Sequence, residues 1–266
     1  FIFGTRPEAI KMAPVINVFK KDSVNFKTLV AVTAQHREML DQVLEVFEIL
    51  PDHDLDLMSS NQTLDNLTGK ILNGISDLLM EIKPELIFVQ GDTTTTFAAS
   101  LAAFYRKIPV GHIEAGLRTG KIYSPFPEEI NRRMTSAIST YHFPPTPEAE
   151  RNLLNEGVEK DKITVTGNTV IDALLTVSSK VETDSSEYEE YFLNKCSISF
   201  NEKKTILLTA HRRESFGDGF ENICDAIKNI ATNNDVQIIY PVHLNPNVQD
   251  PVNRILCNIK NVYLIL

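Results

Sequence analysis

Asp92 stands directly behind an apolar run in "LIFVQGDTTTT", and Glu114 closes another in "PVGHIEAG". A carboxylate at such a place either caps the next helix or serves a ligand as proton donor or acceptor. Three more polar clusters follow short apolar runs in the same way: Gly4-Thr5-Arg6-Pro7-Glu8, Gln35-His36-Arg37 and His211-Arg212-Arg213-Glu214. One cluster alone decides nothing. Five on one rim favour a polar-ligand site, with carboxylates for acid–base work and cations for an anionic group.

The individual motifs leave two readings open. In "GTRPEAIKMAP", Gly4 suits an unusual backbone and Pro7 suits a helix start, where its missing N–H costs nothing. Free N–H groups at that helix end attract anions, Arg6 adds a bidentate contact, and Lys11 follows one turn on. A capped helix with solvated charges explains the same residues equally well. The turn matches neither the dinucleotide nor the P-loop glycine pattern. In "SPFPEEINRRMTS", Glu128 and Arg132 are four apart, the spacing of a surface ion pair. Threonine is a mediocre helix former, so four in succession, Thr93 to Thr96, point to a capped turn of stiff hydroxyl-bearing side chains. Gly91 there permits close approach and Asp92 is aimed at the ligand. His112 reads as structural, and His53 and His142 have no chemical company in sequence. "LLTAHRRESFGDGF" makes a cationic pocket, and His243 ends the next run in "YPVHLNPN".

Strands must deliver these residues. Candidate strands are 1–3, 27–33, 86–90, 110–114, 141–143, 163–165, 206–209, 236–240 and 262–266, separated by amphipathic helical stretches such as "REMLDQVLEVFEIL" and "NLTGKILNGISDLLMEI". Mostly continuous apolar strands alternating with helices predict an α/β doubly wound parallel sheet, whose ligands bind at the carboxyl ends of the strands. The acidic, Ser-rich stretch from Glu182 to Lys204 breaks the rhythm. The expected layout is an N-terminal Rossmann-like domain over 1–170, a boundary region with a short helix over 171–204, and a second such domain from 205 to 266. With only three strands after the boundary, that second domain reads as truncated, and both chain ends read as falling inside strands.

Composition narrows the class. The chain has 266 residues, 42% hydrophobic and 23% charged, with a net charge of −9. That balance argues against nucleic acid or an anionic membrane as main partner, so an anionic ligand must be met by locally placed Arg and Lys. Cys196, Cys224 and Cys257 lie far apart without metal-type spacing and read as reduced structural thiols. No apolar run reaches bilayer-spanning length.

Together, "FGTRPEAIKMAP", "TAQHREMLDQ", "GDTTTT", "GHIEAGLRTG", "YSPFPEEINRR", "TGNTVIDAL", "HRRESFG" and "PVHLNPNV" resemble the non-hydrolysing UDP-N-acetylglucosamine 2-epimerases, in order along nearly the whole chain. The resemblance implies a GT-B-like pair of Rossmann-like domains with the active site in the cleft between them. It implies a cytoplasmic homodimer interconverting UDP-GlcNAc and UDP-ManNAc without metal or nicotinamide cofactor. By motif, Asp92, Glu114 and Glu128 match the family's catalytic carboxylates and His211 its active-site histidine, which contacts the nucleotide-sugar. Arg6 and Lys11 match substrate-binding positions, and Arg132 is a further candidate for the same cleft. Some bacterial members carry a second, activating UDP-GlcNAc site. Gln35, His36, Gln62 and His243 match it, whereas Asn61 and Glu38 depart from it and weigh against activation. The rival readings are a hydrolysing 2-epimerase, a GT-B glycosyltransferase using a UDP-sugar, and a nucleotide-sugar binding module.

Overall fold

The computed structural model describes residues 1–33, 37–57, 62–210, 217–243 and 245–265. The chain divides into two compact units, Phe1–Ser179 and Lys180–Leu266.

In the first unit, short strands alternate with helices: β1 Ile2–Phe3, α1 Arg6–Lys21, β2 Ala31–Val32, α2 Arg37–Val46, β3 His53–Asp54, α3 Leu64–Ile82, β4 Ile87–Gln90, α4 Thr94–Tyr105, β5 Val110–Ile113, α5 Glu128–Ile138, β6 Tyr141–Phe143 and α6 Pro147–Asn155. The strands form two parallel ladders, β1-β2-β3 and β4-β5-β6, with Ile2 opposite Ala31 and Phe88 opposite Gly111. β1 also lies alongside β4, so the strands run 3-2-1-4-5-6 across the unit. That is the Rossmann order. It reverses between β1 and β4, and a doubly wound sheet opens its ligand crevice at that reversal.

Side-chain alternation along the strands divides the core into two layers. Ile2, Ile87, Val89 and Val110 pack with Leu67, Ile71, Ile75, Leu78 and Leu79 of α3 and with Ala98, Ala99, Ala102 and Ala103 of α4. On the other face, Phe3 and Val32 meet Ala9, Met12, Ala13 and Ile16 of α1 and Leu40 and Leu44 of α2. The alanine-rich α4 has Ser100, Thr95 and Thr96 buried as well, so it is enclosed on more than one side. Small side chains there let the neighbouring helices approach closely, and α4 packs against both α3 and α5.

Several expected elements differ in extent. The candidate strand at 163–165 reduces to a single bridge between His142 and Ile163. β3 was not expected, because His53-Asp54 has no apolar run; it adds to the outer edge of β2. The short helix expected in the Glu182–Lys204 stretch is α8 Ser185–Cys196, and a further helix, α7 Val170–Thr183, precedes it.

The second unit carries β7 Lys204–Leu207, α9 Asp218–Asn233, β8 Val236–Pro241, α10 Pro246–Leu256 and β9 Val262–Ile265, with parallel strands in the order 7-8-9. Its core joins Phe220, Cys224 and Ile227 of α9 to Tyr240 of β8 and Val248, Val252 and Leu256 of α10. Tyr240 is fully buried, and its Oη donates to the Ala210 carbonyl at 2.6 Å. No helix among the described residues is long and apolar enough to cross a membrane.

Candidate active site

The tips of β1 and β4 meet through a buried carboxylate. Thr5 caps α1 and Glu8 completes a capping box, with Oε2 accepting from the Gly4 and Thr5 N–H groups at 3.1 and 2.7 Å. The other oxygen, Oε1, accepts from the Thr93 and Thr96 hydroxyls at 2.6 and 3.1 Å. Burial raises the pKa of Glu8, working against the hydroxyl and N–H donors that favour its ionised form. The carboxylate thus takes the two N–H groups just before the helix, and the Glu8 N–H goes to the Thr5 hydroxyl at 3.4 Å. At this helix end the capped-helix reading holds, and Arg6 remains exposed with no ionic partner among the described residues.

Three of the four threonines have separate tasks. Thr93 caps α4, accepting from the Thr96 N–H at 3.1 Å. The Thr96 hydroxyl also reaches the Gln90 carbonyl at 2.6 Å, and Thr95 meets Thr33, at the end of β2, at 3.0 Å. A Cβ at Gly4 would stand 2.2 Å from Thr33 Oγ1 and 2.7 Å from Thr95 Oγ1. The two glycines thus exchange their expected roles. Gly4 is required for space, whereas Gly91 supplies a backbone φ of +73° that other residues adopt only with strain.

Glu114, the residue after β5, is held on several sides. Lys11 Nζ lies 2.7 Å from both of its carboxylate oxygens, Gln90 Nε2 donates to Oε2, and Asn168 Nδ2 donates to Oε1 at 3.3 Å. Its φ of +61° places a bulky residue in the left-handed region, a strained backbone of the kind concentrated at functional sites. A Cβ on Gly91 would lie 3.6 Å from Glu114 Oε2, so this carboxylate rests against the turn that carries Asp92. Asp92 is gripped in turn by α5: Arg132 pairs with its carboxylate and Asn131 Nδ2 donates to its carbonyl at 3.0 Å.

The Glu128–Arg132 surface pair suggested by the spacing is absent; Arg132 turns instead to Asp92 and, at 3.5 Å, to Glu129. Glu129 is fully buried and receives the Thr119 and Gly120 N–H groups at 3.0 and 3.2 Å and Arg133 Nε at 3.1 Å. Burial opposes its ionisation, but these donors outweigh it and hold the carboxyl below its ordinary value. Glu128 Oε2 and Arg132 Nε are buried without a hydrogen-bond partner among the described residues. Such orphaned atoms are where a ligand's polar groups would find partners.

His112 is structural in this geometry. Fully buried, it bonds the Gly91 carbonyl through Nε2 at 2.7 Å, and burial pushes its pKa down to about 3. It therefore stays neutral and anchors the turn before Asp92. Arg118, which follows Glu114 in the same motif, is drawn away: its guanidinium forks onto Glu156 at 2.6 and 2.8 Å.

The fold thus gathers Lys11, Asp92, Glu114 and Arg132 at the β1/β4 reversal, with Glu128 beginning the helix that supplies Arg132. Sequence reasoning missed Glu8, Gln90, Glu129, Asn131 and Asn168. The capping-box spacing Thr5-x-x-Glu8 was the one available signal for Glu8. Gln35, His36 and His211 lie outside the described residues. Gln62 Nε2 donates to the Leu57 carbonyl at 3.1 Å, and His243 Nδ1 accepts from the Asn245 N–H at 3.1 Å. Among the described residues no group of three or more His, Cys, Asp or Glu side chains is placed to hold a metal ion.

Comparison with known proteins gives one consistent answer. The family model described as UDP-N-acetylglucosamine 2-epimerase matches residues 19–266. The Escherichia coli K12 protein of that name is 57% identical over 99% of this chain and 70% of its own length. The crystal structure of UDP-GlcNAc 2-epimerase from Neisseria meningitidis bound to UDP-GlcNAc is 51% identical, with a TM-score of 0.88 over 99% of this chain and 71% of that one. The S. aureus MnaA–UDP co-structure is 44% identical, with a TM-score of 0.84 over 99% of this chain and 67% of that one.

Proposed function

The chain belongs to the UDP-N-acetylglucosamine 2-epimerase family, and from that premise we propose that it interconverts UDP-GlcNAc and UDP-ManNAc by inverting C2 of the sugar. The C2 hydrogen is not adjacent to a carbonyl, so its direct removal would leave an unstabilised carbanion. Elimination avoids this: a base takes the C2 proton while the C1–O bond to UDP breaks, leaving a 2-acetamidoglucal. UDP then re-adds at C1 as a proton is delivered to the opposite face of C2. The route requires acid–base groups on both faces of C2 and cations for the departing diphosphate.

One observation carries the reading: the Glu114 carboxylate rests against the turn bearing Asp92, each gripped by its own cation, at the sheet reversal. We assign proton transfer at C2 to the set Asp92, Glu114 and Glu128. Lys11 and Arg132 orient two of these carboxylates, and Arg6, exposed at the mouth of the β1 turn, is left for the diphosphate. His211 is assigned to the nucleotide-sugar by its motif. A homodimer working in the cytoplasm goes with this assignment.

The test is incubation of the purified protein with UDP-GlcNAc, without a sugar acceptor, followed by NMR. UDP-ManNAc as product supports the proposal. Free ManNAc with UDP would identify the hydrolysing reaction, and an unchanged substrate would overturn enzymatic action on this nucleotide-sugar.

A further inference from the structure

Glu8 was not among the catalytic candidates, yet it occupies a position that none of them could hold. It is 1% exposed and joins the two strand tips that flank the sheet reversal. From the β1 side it takes the Gly4 and Thr5 N–H groups; from the α4 side it takes the hydroxyls of Thr93 and Thr96. Thr93 is the residue after Asp92. One turn further along α1, on the same helix face, Lys11 holds both oxygens of Glu114. Asp92 follows β4 and Glu114 follows β5; these strands are hydrogen-bonded neighbours, with the Gly91 N–H on the Ile113 carbonyl at 3.0 Å, and a second tie can come from an element that spans both tips. α1 does so, through two side chains three residues apart.

We propose that Glu8 is a positioning residue for the reaction: its carboxylate locks the Thr93 cap to the β1 turn, so that α1 acts as one template fixing Asp92 relative to Glu114. An ionised carboxylate suits this task because it offers acceptors only, and it faces the Gly4 and Thr5 N–H groups, the Thr93 hydroxyl, and a Thr96 hydroxyl whose one proton is shared with the Gln90 carbonyl. A glutamine in its place keeps the shape but turns an N–H₂ group toward two of those donors. A simple helix cap would explain the Gly4 and Thr5 bonds, but it would not require the two bonds to α4.

The inference rests on the epimerase reading, and wild-type conversion of UDP-GlcNAc, measured first, tests that reading by itself. The test of Glu8 then compares Glu8→Gln and Thr93→Val with wild type, well below each variant's melting temperature. Thr146→Val serves as control: Thr146 caps α6, accepting from the Ala149 N–H at 3.2 Å, away from both tips. All three variants should melt earlier. Glu8→Gln and Thr93→Val should lower kcat about tenfold or more with KM within about twofold, because a displaced acid–base group weakens only the transition state. Thr146→Val should keep kcat within about twofold of wild type. Near-normal kcat in folded Glu8→Gln or folded Thr93→Val would overturn the proposal and leave Glu8 a helix cap. Should Glu8→Gln not fold, Thr93→Val decides alone, since it removes the shorter of the two α4 contacts to Glu8 and spares α1.

Discussion

Removing Lys11 isolates one element of the site with a calculable effect. Lys11→Met keeps the aliphatic stem and deletes the ammonium that lies 2.7 Å from both Glu114 oxygens. At that separation the gross attraction is about 6 kcal/mol for an effective dielectric of about 20. Desolvation of the two groups consumes most of it, and Lys11 keeps 23% of its side chain in solvent. Glu114 would be left, 12% exposed, with only the neutral donors Gln90 and Asn168. The expected cost is about 2 kcal/mol, which lowers the unfolding temperature by roughly 4–8 °C for a unit of this size. Glu114→Gln should cost about 1 kcal/mol, since the freed ammonium can reach water. The double variant should cost about 1 kcal/mol as well, for a coupling energy of about 2 kcal/mol. Urea unfolding of the four proteins, followed by far-UV circular dichroism, measures the cycle. A coupling energy below about 0.5 kcal/mol would refute the argument that this pair is locked in a mostly buried setting.

Other consequences follow from the same geometry. Gly4→Ala forces a methyl onto the Thr33 and Thr95 hydroxyls and should cost about 3 kcal/mol through overpacking and a lost buried hydrogen bond; adding Thr33→Ala should recover part of it, and additive losses in thermal melts would contradict the contact. Arg6→Ala should raise KM for UDP-GlcNAc about tenfold while leaving the melting temperature within a degree or two, because Arg6 is exposed; an unchanged KM would remove it from the diphosphate site. The buried imidazoles govern acid stability. Burial pushes His112 down to about 3 and His142 to about 4, so between there and the ordinary value of 6.5 the unfolded chain binds more protons than the folded one. Stability is therefore full above about pH 6.5 and falls as the pH drops, by roughly 1.4 kcal/mol per pH unit for each histidine. Glu8, with its raised pKa, contributes with the opposite sign above the ordinary carboxylate range and softens the slope. Melting temperatures from pH 7.5 to 5 should show the decline, and His142→Asn should flatten it; an unchanged slope would contradict the assignment.

What could be read in advance was the placement of residues along the chain, because strand and helix periods and turn residues are local properties. Asp92, Glu114 and Arg6 were identifiable as strand-tip residues on those grounds. Their partners were not. Glu128 and Arg132 have the spacing of a surface pair, but Arg132 is drawn to Asp92, forty residues earlier in the chain, because α5 packs against α4 beyond the β4 tip. The roles of Gly4 and Gly91 were exchanged for a similar reason: the crowding at Gly4 comes from Thr33 and Thr95, which only the fold brings together. The short helix expected in the acidic, Ser-rich stretch is α8, which buries no residue fully. His53-Asp54 forms a strand by completing β2's edge rather than by any propensity of its own.

The central claim is that the carboxylates gathered at the β1/β4 reversal move the proton at C2. Solvent exchange tests it most directly: UDP-GlcNAc incubated with the protein in D2O, with deuterium at C2 followed by NMR, for wild type, Asp92→Asn and Glu114→Gln. Wild type should yield UDP-ManNAc bearing deuterium at C2, and both variants should slow that incorporation by a factor on the order of a hundred or more while remaining folded. Epimerised product without deuterium at C2, or near-normal exchange in both folded variants, would contradict the account.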